Sequence, residues 1–228
     1  MKNLCIIPAR GGSKRIPRKN IKPFMGKPIM AYSIESALKS GLFDEIMVST
    51  DDEEFAKVAR QYGASVPFLR SEATANDYAG TADVIFEVLN EYKKRGKLYD
   101  NFCCLYSTAP FVTSESLKKA YNLLNDKVDA SFTVVQYSYP IQRSLKKDAE
   151  GYIEMNFTQY LGSRSQDLEP IYHDAGQFYF VKVKTFYEEK TLWCKRTAPL
   201  VLSELEVQDL DTLTDWQLAE MKFDLLHK

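Results

Sequence analysis

Short apolar runs alternate with amphipathic segments of helical period along most of this chain, and few folds accommodate that alternation. Residues 4–7, 45–49, 102–106 and 129–136 read as buried strands, with a short extended piece at 66–69. Between them lie helices at 29–39 and 81–95. In the first, Ile29, Tyr32, Ser33, Ser36, Ala37 and Ser40 form the face expected to meet a sheet. Thr50-Asp51-Asp52-Glu53 reads as a capping box opening a helix to residue 62, and Thr113 as the cap of a helix to 124. A strand at 177–183, a helix at 185–190, a strand at 198–202 and an amphipathic helix at 211–227 complete the pattern. The rhythm predicts an α/β fold, a parallel sheet covered by helices. At 228 residues it predicts one domain spanning 1–228. The rhythm breaks at 137–174, a stretch rich in Tyr, Gln, Ser and Arg that reads as an inserted arm.

Composition narrows the class further. An apolar fraction of 45% supplies a sizeable core, and no run of about 18 apolar residues predicts a membrane span. The chain opens on a strand, so no secretory leader is expected. The four cysteines, at 5, 103, 104 and 194, form neither a zinc nor a disulfide pattern. A reducing, cytoplasmic compartment is the expectation that follows. Formal net charge is −1, and no second basic stripe accompanies the basic loop described next, which argues against a nucleic-acid partner.

The first strand runs into Ala9-Arg10-Gly11-Gly12-Ser13-Lys14-Arg15-Ile16-Pro17-Arg18-Lys19-Asn20. Five cations fall within ten residues there. Glycine backbone can approach phosphate oxygens closely, and Arg10, Lys14, Arg15, Arg18 and Lys19 can neutralise a polyanion. Such a run on an arbitrary loop is ordinarily solvated surface. This one begins at the carboxyl end of a strand, where ligands of open α/β sheets gather. Neither the Walker spacing nor Gly-x-Gly-x-x-Gly is present.

Asp209-Leu210-Asp211 is the second chemical feature. In extended backbone the two carboxylates point to one side, a pair suited to Mg²⁺. Helix capping by Asp211, or by Thr212 with Asp215, is a compatible reading. Leu105-Tyr106-Ser107-Thr108-Ala109-Pro110 ends a strand in a proline turn, again at a carboxyl end. Arg164-Ser165-Gln166-Asp167-Leu168-Glu169-Pro170 and Tyr172-His173-Asp174-Ala175-Gly176-Gln177 offer a guanidinium that fits a carboxylate, with neutral hydrogen-bonding groups beside it. His173 beside Asp174 is no dyad, because neighbours in a strand point apart. The absence of a convincing nucleophile arrangement favours direct transfer.

The cation loop matches, along its full length, the opening motif of the sugar-nucleotide cytidylyltransferases. The chain resembles in particular the CMP-nonulosonate synthetases, which activate nine-carbon acidic sugars. The resemblance continues through 28–34, 48–52, 107–110 and 209–216 and covers nearly the whole chain. It implies a Rossmann-like, mostly parallel sheet of the nucleotide-diphospho-sugar transferase type with helices on both faces. It implies transfer of CMP from CTP to the anomeric 2-hydroxyl of a nonulosonic acid, with pyrophosphate released. By the same resemblance Arg10, Lys14, Lys19 and Asp211 are catalytic, and Asp209 and Asp211 hold Mg²⁺. Ala9, Arg10, Gly11, Lys19, Asn20, Asn76, Asp77, Thr81, Tyr106, Ser107 and Thr108 then contact the nucleotide. Thr81 as a plain helix cap is the alternative for that residue. A homodimer is implied, with the 137–174 arm reaching the partner.

The 164–179 block is similar to the enzymes acting on pseudaminic acid. Sialic acid enzymes typically carry an Arg-and-Asn-containing segment where His173-Asp174-Ala175 stands, and Gln where this chain has Tyr106. Gln142, Arg143, Arg164, Tyr172, His173 and Gln177 are then the sugar-facing candidates. Activation of legionaminic or N-acetylneuraminic acid is the alternative within the class. A non-catalytic nucleotide-sugar binding module is the alternative outside it, disfavoured by the intact carboxylate pair.

Overall fold

The computed structural model describes residues 1–13, 15–76 and 78–227. In chain order the strands are β1 (Asn3–Pro8), β2 (Pro23–Phe24), β3 (Lys27–Pro28), β4 (Glu45–Ser49), β5 (Asn101–Leu105), β6 (Ala130–Gln136), β7 (Leu145–Lys147), β8 (Ile153–Met155), β9 (Tyr172–Lys182) and β10 (Thr197–Leu202). The helices are α1 (Ile29–Ser40), α2 (Glu53–Gln61), α3 (Glu72–Ala75), α4 (Thr81–Lys94), α5 (Ser114–Tyr121), α6 (Val183–Glu189) and α7 (Leu213–Leu226).

Six strands form one sheet in the order β10-β6-β9-β5-β1-β4. β1 pairs in parallel with β4 and β5, and β6 with β10, while β9 runs antiparallel between β5 and β6. The sheet is therefore mostly parallel, as the alternating pattern predicts, with one reversed strand that the pattern does not reveal. Successive side chains feed two cores. Cys5, Ile7, Cys103, Leu105, Phe178 and Phe180 pack under α1, α2 and α5. Leu4, Ile6, Phe102, Cys104, Tyr179 and Val181 pack under α4 and α6. Burial on both faces is why these strands read as continuous apolar runs rather than alternating ones. A third cluster joins α7, through Leu210, Trp216 and Ala219, to Ile16 and Phe24 beside the cation loop.

Several local expectations are corrected. The cap of α2 is Asp52, not Thr50. The Asp52 carboxylate accepts from the N–H groups of Glu54 and Phe55, and Thr50 Oγ1 accepts from Asp52 N–H instead. The short extended piece at 66–69 joins no named strand, and Ser65 just before it bridges to Met47. The helix after Thr113 ends at Tyr121, although Thr113 caps it as expected. The buried stripe of α1 is Ile29, Met30, Ala31, Ser33, Ile34, Ala37 and Ser40. Tyr32 and Ser36 lie at its margin, donating to Phe24 O and Val112 O.

The strand expected at 177–183 starts earlier, at Tyr172, and pairs with β6 on both sides of a bulge. Phe132 faces Tyr179 but Val134 faces Asp174, so β9 spends three extra residues there. Gly176 takes φ +62° within the bulge, a conformation other residues rarely adopt. Asp174 closes it, accepting from Gly176 N–H at 2.8 Å and from the Tyr179 hydroxyl.

Candidate active site

The chain passes from β1 through α1 to β4 on one side, then returns to place β5 on the other side of β1. The carboxyl ends of β1 and β5 therefore diverge at a topological switch point, where open α/β sheets bind ligands. A cleft of about 640 Å³ lies there. Its lining includes Arg10, Arg15, Lys19, Asn20, Asn76, Thr81, Tyr106, Ser107 and Thr108, gathering most of the nucleotide candidates named from the sequence. Lys14 and Asp77 lie outside the described residues.

Asn20 holds the cation loop across the two strand ends. Its amide nitrogen donates to Arg10 O at 2.9 Å, and its Oδ1 lies 2.8 Å from Ser107 Oγ, which is also 3.0 Å from Pro8 O. Asn20 and Ser107 are 7% and 3% exposed, so the bonds are shielded from water. Tyr106 is fixed from below, its carbonyl accepting from Ser33 Oγ and its N–H donating to Gln177 O. Its hydroxyl stands 3.4 Å from Thr81 Oγ1. Thr81 is the first residue of α4 and does not cap it; Gly80 occupies the cap position, and its N–H donates to Asp83. Gly11 packs against α2: its N–H donates to Asp51, and a Cβ on it would sit 3.2 Å from Asp52 Oδ2.

The loop cations divide. Arg18 turns away from the cleft, pairing with Glu54 at 2.6 Å and lying over the Phe55 ring. It anchors the loop to α2. Arg15 pairs with Asp211, and Arg10 donates to Asn76 O at 3.2 Å. Lys19 donates to Leu210 O at 2.6 Å, which ties the loop to the Asp209-Leu210-Asp211 segment. Burial lowers the Lys19 pKa from its ordinary value, and the charges of Asp211 and Asp209 oppose that shift. A half-buried ammonium between these carboxylates and the cleft is placed for contact with phosphate.

Asp209 and Asp211 flank Leu210, whose side chain is 2% exposed in the α7 cluster. With Leu210 pointing inward, the two carboxylates share the outer side. Asp209 Oδ1 accepts from Leu210 N–H and Asp211 Oδ2 from Arg15; among the described residues the other oxygens carry no hydrogen bond. Hard carboxylate oxygens of this kind are the donor type that suits Mg²⁺. Capping of α7 is a separate matter, carried out by Thr212 and Asp215.

Two features depart from the sequence reading. Asn76 spends its side chain on local backbone, accepting from the N–H groups of Tyr78 and Ala79 and donating to Ala73 O. What it presents to Arg10 is its backbone carbonyl. Arg70, absent from the sequence candidates, lines the cleft at 9% exposure. Its guanidinium donates to Ser49 O at 2.7 Å and to Ser49 Oγ at 3.2 Å. Burial lowers its pKa, with the charges of Asp51 and Glu87 opposing. A lone arginine after an extended piece carries no motif; its one signal is a charge between a run that turns inward and a helix start.

The sugar candidates are not gathered in the same cleft. Arg143 lines a separate depression with Tyr137, Tyr139 and Ser165, and its Nη1 donates to Ser165 Oγ. Arg164, Tyr172 and His173 are exposed; the His173 ring packs on Tyr137, and Nδ1 lies 2.9 Å from Asp174 O. Gln142 and Gln177 are 7% and 4% exposed, and their amide nitrogens bond Glu169 O and Glu206 O. Gln177 sits in the β9 bulge behind Tyr106.

Residues 4–205 match the cytidylyltransferase family model. A pseudaminic acid cytidylyltransferase of Campylobacter jejuni subsp. jejuni serotype O:2 is 43% identical over 229 residues, covering 100% of this chain and 99% of its own. A CMP-N,N'-diacetyllegionaminic acid synthase of Legionella pneumophila is 38% identical over 99% of this chain and 97% of its own. Among solved structures, CMP:2-keto-3-deoxy-manno-octonic acid synthetase complexed with CTP superposes with a TM-score of 0.71 at 17% identity, over 99% of this chain and 100% of that one.

Proposed function

Because this chain belongs to the cytidylyltransferase family, we propose that it transfers CMP from CTP to the anomeric 2-hydroxyl of a nonulosonic acid, and that the acid is pseudaminic acid. The observation that carries the reading is the end-to-end identity with pseudaminic acid cytidylyltransferases, joined to a cation-lined cleft at the β1/β5 switch point.

In this reading CTP lies across the carboxyl edge with its phosphates on the cation loop. Arg10 and Lys19 hold the triphosphate and stay with the departing pyrophosphate, and Lys14 belongs to the same set. The sugar hydroxyl oxygen bonds to the α-phosphorus as the bond to the bridging β-phosphate oxygen breaks. Asp209 and Asp211 would hold Mg²⁺, which supplies charge neutralisation at the phosphates and eases ionisation of the hydroxyl. Asn20 and Ser107 tie the two ends of the loop together, which limits reorganisation as Arg10 and Lys19 meet the phosphates. The Tyr106 and Thr81 hydroxyls and buried Arg70 form the polar wall for the nucleoside.

Arg143, Arg164, Tyr172 and His173 stand on or beside the arm, away from this cleft. The arm also exposes Tyr139, Leu145, Tyr152, Ile153 and Leu161. Both facts support a homodimer in which each arm brings its sugar-facing groups to the partner. Among the described residues no helix is long and apolar enough to cross a membrane. A cytoplasmic setting is part of the same proposal.

Pyrophosphate release with CTP against a panel of nonulosonic acids tests the assignment. Pseudaminic acid is expected to lead by orders of magnitude over N-acetylneuraminic acid, since mispaired hydrogen-bonding groups reject an epimer strongly. Equal kcat/KM for the two would leave only the broader class, and a legionaminic acid preference would redirect it. Three substitutions separate the subsites. Lys19→Ala or Arg10→Ala is expected to cost roughly 1.5–3 kcal/mol in kcat/KM for CTP, with little change in sugar KM. Wild-type kinetics at subsaturating CTP would return either residue to the solvated surface. Arg164→Lys keeps the charge but loses the fork, so KM for the sugar is expected to rise while CTP affinity holds. Unaltered sugar kinetics would remove Arg164 from the site.

A further inference from the structure

One wall of the cleft is built on very little. Helix α3 spans only Glu72–Ala75, too short to hold itself by its own backbone bonds. Ser71, Glu72 and Ala73 are exposed, so the segment contributes little to either core. Yet Thr74 and Asn76 line the cleft, Arg70 enters it immediately upstream, and Arg10 donates to Asn76 O. Something outside the segment must set where these groups stand.

That anchor is a carboxylate on α4. Thr81 and Val84 of α4 line the cleft, and Glu87 follows one turn below on the same face. Glu87 Oε1 accepts from Ser71 N–H at 2.7 Å. Its Oε2 accepts from Ser71 Oγ at 2.8 Å and from Thr74 Oγ1. We propose that Glu87 is a positioning residue for the transferase reaction, fixing the α3 wall, and with it Thr74 and the Asn76 carbonyl that Arg10 meets, against bound CTP. The role rests on the cytidylyltransferase reading above. Burial works to raise the Glu87 pKa, but the bonds from Thr74 and Ser71 and the Arg70 charge outweigh it and hold it below 4.5. The group is ionised throughout the neutral range and acts as an acceptor only, as three donors require. An amide of the same shape offers one acceptor oxygen and turns an NH₂ toward a donor.

The test compares wild type, Glu87→Gln and Glu87→Asp in the full chain with Mg²⁺ present. CTP binding is measured directly, steady-state kinetics on both substrates, and amide exchange of 71–76 without nucleotide. Glu87→Gln is expected to weaken CTP binding and raise its KM about tenfold, with Tm and sugar KM nearly unchanged. Exchange at 71–76 is expected to quicken, because the wall opens locally without global unfolding. Glu87→Asp keeps both acceptors on a shorter stem and is expected to recover part of the loss. Wild-type CTP affinity in Glu87→Gln, with fast exchange at 71–76, would make Glu87 a mere staple and overturn the proposal. So would a fall in Tm and kcat with a matched rise in both KM values. Failure of the wild type itself to bind CTP would overturn the proposed activity first, and this role with it.

Discussion

Asp211→Ala is expected to lower kcat by at least about a thousandfold, the several kcal/mol that a metal clamp on a phosphoryl transition state supplies. Stability is expected to hold. The Arg15–Asp211 pair is exposed, at 68% and 36% of the two side chains, and such pairs contribute little. The cap of α7 stays intact, because Thr212 and Asp215 make it without the Asp211 side chain. Asp215→Ala is the matching control, expected to lower stability modestly through loss of the cap, with far less effect on turnover. EDTA is expected to stop the wild type and Mg²⁺ to restore it. Full turnover in EDTA, or an active Asp211→Ala enzyme, would remove the metal from Asp209 and Asp211.

The largest effect on stability is expected at the opposite edge of the sheet. Glu45, at the start of β4, accepts from Tyr92 and Tyr99 hydroxyls at 2.7 and 2.8 Å, from Ser65 at 2.9 Å and from Lys97 at 2.7 Å. Burial alone would raise its pKa; the bonds from Lys97, Tyr92, Tyr99 and Ser65 outweigh it and bring the value down to about 2. Glu45→Ala leaves the Tyr92 hydroxyl, on a residue 1% exposed, without its acceptor. The expected loss is about 2–4 kcal/mol, roughly 5–12 °C in Tm for a domain this size. Because the folded pKa lies below the ordinary 4.5, this stabilisation is full above about pH 4.5 and fades as pH falls toward 2. The Tm gap between wild type and Glu45→Gln should therefore narrow on acidification from pH 6 to pH 3. A gap that stayed constant or widened would show that the carboxylate is not the fastener.

What could be read beforehand follows from where the information is local. The apolar runs of β1, β4, β5 and β6 mark buried strands because both faces of the sheet are covered. The cation loop is legible because its glycines and charges are contiguous. The reversal of β9 is not, since strand direction leaves no mark on periodicity and the 137–174 interruption hides the strand's true start at Tyr172. The choice of Asp52 over Thr50 as cap was a contest between two acceptors two residues apart, decided by where the helix begins. Arg15 and Arg18 looked like phosphate ligands of equal standing; their carboxylate partners come from residues 211 and 54, which only the folded chain brings near. Arg70 and Glu87 escaped notice for the same reason, being assembled across segments that share no motif.

The placement of β9 also bears on how the chain is made. Strands β4, β1 and β5 are complete once Leu105 has emerged, but β5 then presents a bare edge. β6 follows with no neighbour in the sheet until Tyr172–Lys182 arrives to bridge it to β5. Throughout synthesis of the arm, two unpaired apolar strands wait for one late central strand. Such edges template pairing with other chains, and long-range closure is slow. A chain arrested within the arm would thus expose a half-sheet prone to aggregate until β9 closes it.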